Sequence, residues 1–232
     1  SQVIRARLRA LANPKKAEVL QRFFKTGPCE YAEGDRFLGI QVPELRKLAK
    51  EYALVPLPEI GKLLTSPIHE ERFLALLLMM NQHAKGNDVE KTTVYDFYVQ
   101  NVRFINNWDL VDISAPYLVG AHLWERNKRP LSIFATSANM WERRIAILAT
   151  FFLIKRGSYA EALRIAGLLL HDKEDLIHKA VGWMLREIGK RSLVTEEEFL
   201  RMYYKRMPRT MLRYAIERFP EPQRQQYLQG VV

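Results

Sequence analysis

Five alanines constrain the fold of this chain more than any other feature. Ala75, Ala115, Ala146, Ala180 and Ala215 each lie three residues after Arg72, Asp112, Arg143, Ile177 and Leu212, and those reference positions advance by 40, 31, 34 and 35 residues. Each set falls in a stretch whose apolar residues recur at three- and four-residue spacing, preceded by a second such stretch. Pro and Gly fall between the stretches, not within them. No segment alternates apolar with polar as a half-buried strand does. The chain reads as all-α.

A small residue at a fixed point of every second helix lets neighbouring helices approach closely. Two-helix repeats of the HEAT kind stack in this way into an α-solenoid. The expected architecture is therefore a single α-solenoid domain over residues 1–232, with the second helices of the pairs lining a concave basic groove. The one long break is TGPCEYAEGDRFLGIQ, residues 26–41, with three glycines, a proline and three acidic residues. It is a loop by composition, and longer than the usual helix–helix connection, as functional loops often are.

Lys and Arg outnumber Asp and Glu by 36 to 26, giving a net charge of +10 and a pI near 9.7. Such a balance points to a polyanionic partner, nucleic acid first. Cys29 is the only cysteine, which excludes an internal disulfide and a Cys-rich zinc site and fits a reducing cytoplasm. The five histidines (69, 83, 122, 171 and 178) show no metal-ligand spacing, so no metal centre is expected. The longest apolar runs, FLALLLMM and IAILATFFLI, are too short to span a bilayer. The leading SQVIRARLRA lacks the apolar core of a signal peptide. The expectation is a cytoplasmic, DNA-associated monomer with no cofactor.

Two helices carry the candidate DNA contacts. In DKEDLIHKAVGWMLREIGK, Lys179, Trp183, Arg186 and Lys190 share one face, while Ile177, Val181, Met184, Leu185 and Ile188 can be buried on the other. The plainer reading leaves Trp183 half-buried with the cations framing it. In NMWERRIAILATFFLIKR, Arg143 and Arg144 are adjacent and cannot both face the core. Arg144 shares a face with Leu148, Phe151 and Lys155, and its planar guanidinium suits a phosphate. A third stretch, NNWDLVD (106–112), puts Trp108 and Asp112 on one face of a helix. Asp109 sits at that helix's start, where a carboxylate favours the dipole and reads as structural. Asp112 is then the odd charge of a basic groove, and needs a cation either within the protein or on the ligand.

Four segments in order, FLGIQVPELR (37–46), WDLVD (108–112), WERRIAIL (141–148) and HKAVGWMLRE (178–187), resemble the AlkD family of alkylpurine DNA glycosylases, over residues 14 to 190. The resemblance implies hydrolysis of the N-glycosidic bond of cationic N3- or N7-alkylated purines, such as 3-methyladenine and 7-methylguanine, in double-stranded DNA, with the lesion left stacked. It implies Asp112 as the catalytic aspartate, Trp108 and Trp183 as the tryptophans against the sugar, and Arg144 as a phosphate ligand. Lys179, Arg186, Lys190, Gln41 and Phe23 complete the expected DNA-facing set. Two features depart from a known member of the family: Phe23 stands where that member has a tyrosine, and the loop TGPCEYAEGDR is longer. A cationic base leaves as a neutral molecule, so the site is expected to need neither a histidine nor a second carboxylate. The alternative is a non-catalytic helical-repeat protein that binds distorted or branched DNA.

Overall fold

The computed structural model describes residues 1–232. It is helical throughout, its only sheet-like feature an isolated parallel bridge between Arg36 and Ile68. No helix is long and apolar enough to cross a membrane. The chain divides into two compact units, Ser1–Ser114 and Ala115–Val232.

The first unit holds α1 (Gln2–Ala10), α2 (Pro14–Phe23), α3 (Val42–Glu51), α4 (Leu57–Leu64), α5 (His69–Lys85), α6 (Asp88–Gln100) and all but the last residue of α7 (Trp108–Ala115). Local sequence sets the helix starts. The Asn13 side chain accepts from the Lys16 amide to open α2. Asn87 and Glu90 form a reciprocal capping box at α6. Helix α5 is the core of this unit, buried continuously from His69 to Met79 and packed against α3, α4 and α6. An apolar helix with no wet face has to be central.

The break at 26–41 is a run of turns, with Cys29, and Lys25 just before it, at positive φ. Its exit is held by α5. The buried Glu70 carboxylate accepts the backbone N–H groups of Leu38, Gly39 and Ile40 at 2.9, 2.7 and 3.2 Å. Gly39 is required there, since its φ is +80° and a Cβ would lie 2.2 Å from the Asn13 carbonyl oxygen.

The second unit runs through a π-helical turn (Pro116–Gly120), α8 (Ala121–Leu123), α9 (Arg129–Ala135), α10 (Met140–Ile154), α11 (Ala160–Leu168), α12 (Asp175–Gly189), α13 (Leu193–Tyr203), α14 (Arg209–Ala215) and α15 (Glu221–Gln229). Helix α9 packs on α10, α11 on α12 and α13 on α12, and the second helices adjoin one another, α10 with α12 and α12 with α14. The repeat read from the alanines is present: all five have zero exposure. Glycine extends the same logic at Gly182, where a Cβ would stand 2.4 Å from the Met211 carbonyl oxygen of α14. The repeat's arginines bind internally. Arg72 pairs with the buried Asp35, and Arg143 grips Asp172 through Nε at 2.6 Å and Nη2 at 3.2 Å.

Candidate functional site

In the first unit the site is built on the start of α7. His69, the first residue of α5, is 3% exposed. It lies between two carboxylates, with Nδ1 3.0 Å from Asp35 Oδ2 and Nε2 2.8 Å from Asp109 Oδ2. Burial pulls the imidazole toward neutrality, but the charge of Asp109 and the hydrogen bonds to Asp109 and Asp35 outweigh it and hold its pKa near 9. At neutral pH the ring is therefore an imidazolium donating from both nitrogens. Burial likewise disfavours the Asp35 carboxylate, and its bonds from His69, Arg72 and Asn107 reverse that and depress its pKa. Asn107 donates to Asp35 at 3.1 Å, and Arg72 donates to Asn106 at 3.0 Å. Loop 26–41, α5 and the turn into α7 are thus joined by one buried network of charges.

Aromatic packing continues from it. Phe37 stacks on His69 at 4.5 Å and on Phe24 at 4.9 Å, and Phe24 stacks on Trp108 at 5.2 Å and 15°. The Trp108 indole N–H donates to the Tyr31 hydroxyl at 3.2 Å, so the long loop orients the indole. Asp112, half-buried, follows one turn later on the same face. Beside this stack lies a cleft of about 580 Å³ lined by α2, α3 and α5, with Phe23, Gln41, His69 and Asp109 among its walls.

The second unit carries the other expected residues on α10 and α12. Trp183 is half-buried, 5.8 Å from Phe151, and its N–H donates to Glu187 at 3.3 Å. Lys155 stands over Phe151 at 4.3 Å and donates to the Tyr117 hydroxyl at 3.2 Å. Arg144 is 5% exposed, and its guanidinium donates to the Leu176 carbonyl at the start of α12. Lys179 pairs with Asp175 at 2.7 Å, and that bond raises its pKa while burial and Arg144 oppose it.

Several expectations need correction. The site does have a histidine. His69 escaped notice because its partners lie 34 residues before it and 40 after it, and no local spacing joins them. Asp109 stands in the first turn of α7, as expected, and its partner is the His69 cation as well as the helix dipole. The stripe Lys179–Trp183–Arg186–Lys190 is not a row of bare cations. Each has its own acid: Asp175, Glu217 for Arg186, and Glu187 for Lys190 at 2.5 Å. Two of these acids lie on the same helix, within four residues of their cations, so that counting cations alone overstates the field. Arg144 is recessed and anchored, where an exposed cation was expected. Phe23 is open, 61% exposed and edge-on to both Phe24 and Trp108. Gln41 is exposed at the N-cap of α3, its side chain making no capping bond.

The chain has counterparts among known proteins. A family model described as DNA alkylation repair enzyme matches residues 4–219. A solved structure described as a predicted DNA alkylation repair enzyme from Enterococcus faecalis superposes with a TM-score of 0.69. It is 20% identical in sequence, over 90% of this chain and 97% of that one. AlkD2 from Streptococcus mutans superposes with a TM-score of 0.56 at 18% identity, over 90% of this chain and 99% of that one. At such identities the likeness speaks for the fold. None of the curated proteins matches this chain in sequence. Because the family model spans nearly the whole chain, both units included, the protein belongs to the family of DNA alkylation repair enzymes.

Proposed function

We propose that the protein is a DNA N-glycosylase that hydrolyses the N-glycosidic bond of cationic N3- and N7-alkylated purines, such as 3-methyladenine and 7-methylguanine, in double-stranded DNA. The observation that carries this reading is Asp112. It is a half-exposed carboxylate one turn after Trp108, on a helix whose start is held by the His69–Asp109 ion pair and by the hydrogen bond from Asn107 to Asp35. Such a helix can hold a charge still while a substrate reacts.

The chemistry suits one carboxylate. An alkylated purine cation departs as a neutral base, so no group need protonate it. Positive charge passes to the deoxyribose as the bond stretches. A carboxylate about 4 Å away stabilises that charge by about 4 kcal/mol at an effective dielectric near 20. That is on the order of a thousandfold in rate. Asp112 also accepts a proton from the attacking water. The indole of Trp108, one turn before Asp112 on the same helix, adds cation–π attraction of about 0.5–2 kcal/mol where it meets the sugar. His69 takes no part in proton transfer, because both its nitrogens are committed. Its role is to hold Asp109 and thereby the helix. Working on the backbone side, the enzyme leaves the lesion stacked, and Lys179 holds a phosphate, while Arg144 ties α10 to the start of α12.

Release of 7-methylguanine from methylated duplex DNA tests the reading, with Asp112→Asn as the control. Release by the parent and not by the variant supports it. Binding to DNA with no release by either protein favours the non-catalytic alternative.

A further inference from the structure

The cleft beside the aromatic stack is larger and more apolar than a site of backbone contacts requires. Its volume of about 580 Å³ falls within the roughly 300–1,000 Å³ of small-molecule sites. Val19 and Phe23, one turn apart on α2, are 58% and 61% exposed beside it. Large apolar side chains left open together mark a binding surface.

The polar groups of the lining are nearly all spent. Glu70 holds three backbone amides, and His69 and Asp109 hold each other. What stays available is the Gln41 amide and the ammonium groups of Lys15 and Lys16, both exposed and neither in an ion pair. Phe23 meets Phe24 and Trp108 at 86° and 72°, so neither ring stacks parallel on it, and it stays 61% exposed. The cleft thus offers a largely exposed aromatic ring, apolar walls and two cations.

We propose that this cleft receives a nucleobase swung out of the helical stack, resting on the Phe23 ring with its phosphate at Lys15 and Lys16. The occupant is any unpaired base beside or opposite the lesion, and not the lesion itself. With so few unspent donors and acceptors the cleft stacks a base without reading it, so it tolerates all four. The inference rests on the DNA-binding part of the proposed function and not on the excision step.

The test uses two undamaged duplexes of the same sequence, one fully paired and one with a single extrahelical 2-aminopurine. The expected result is at least tenfold tighter binding of the second, with quenching of the 2-aminopurine emission. In Phe23→Ala the ratio of the two affinities falls toward one, and in Phe23→Trp it persists. Lys15→Ala combined with Lys16→Ala weakens the extrahelical duplex more than the paired one. Equal affinity of the parent for the two duplexes overturns the proposal, as does unquenched emission on binding, or a preference that survives in folded Phe23→Ala. Dodecanoate probes an aliphatic occupant. Its tight binding in place of any extrahelical preference overturns the proposal too. Release of 7-methylguanine is measured alongside. Release without the preference ends this inference alone, and the preference without release ends the glycosylase reading alone.

Discussion

His69 and Asp109 are joined at 2.8 Å across the starts of α5 and α7, and a second carboxylate, Asp35, closes on the other imidazole nitrogen. The pair sets the position of a helix that carries Trp108 on one side of Asp109 and Asp112 on the other. The chemistry proposed for Asp112 depends on a group that never meets the substrate.

That pair predicts a pH dependence. The His69 pKa is raised from 6.5 to about 9 in the folded protein. Its contribution, on the order of 3 kcal/mol, is therefore fully present below pH 6.5 and lost as pH rises through 9. The denaturant midpoint should fall across this window in the parent and stay nearly flat in His69→Gln, which is less stable at pH 6. An equal fall in both proteins would place the titrating group elsewhere.

Asp112→Asn keeps the shape of the side chain and removes its charge. Excision of 7-methylguanine should drop by two to three orders of magnitude, following the Coulomb estimate of about 4 kcal/mol. Affinity for undamaged DNA should hold or improve, since a negative charge has left a phosphate-facing surface. A large loss of thermal stability with unchanged excision per folded molecule would make Asp112 an internal ion-pair partner.

At Trp108, phenylalanine should retain more excision activity than alanine, because a benzene ring keeps part of the cation attraction. Tyr31→Phe removes the hydroxyl that accepts from the indole at 3.2 Å. We expect a loss of several-fold in kcat with KM little changed, since orientation is loosened and contact area is not. A KM effect alone would assign Tyr31 to DNA binding.

The cations of α12 should separate by their partners. Lys179 pairs with an exposed acid, and Lys179→Ala should lower the log–log salt slope of DNA binding by about 0.9, one phosphate contact. Arg186, largely buried against Glu217, should instead cost stability when changed to alanine and leave the slope unchanged. Melting curves and salt titrations of both variants distinguish the two roles.

Gly182→Ala tests the helix packing of the second unit. Its new Cβ would meet the Met211 carbonyl oxygen at 2.4 Å and Tyr214 Cβ at 2.5 Å. Forcing α12 from α14 should cost about 1–3 kcal/mol, read as a lowered melting temperature. An unchanged melting temperature would mean that the two helices separate freely.

The sequence by itself determined the helical class and the repeat. Apolar spacing and small residues are local properties, and Ala75 through Ala215 kept one register through both units because each must admit a neighbouring backbone. It also placed Trp108 and Asp112 on one face, a matter of helical pitch alone. Tertiary structure decided everything that depends on partners distant in the chain. It put His69 between Asp35 and Asp109, spent Glu70 on three amides of the loop and neutralised Arg186 with Glu217. It also buried Arg144 while leaving Phe23 open. Charge and ring contacts act over a few ångströms in space, and the separations of 30 residues and more that they bridge here leave no periodicity for a linear reading to find.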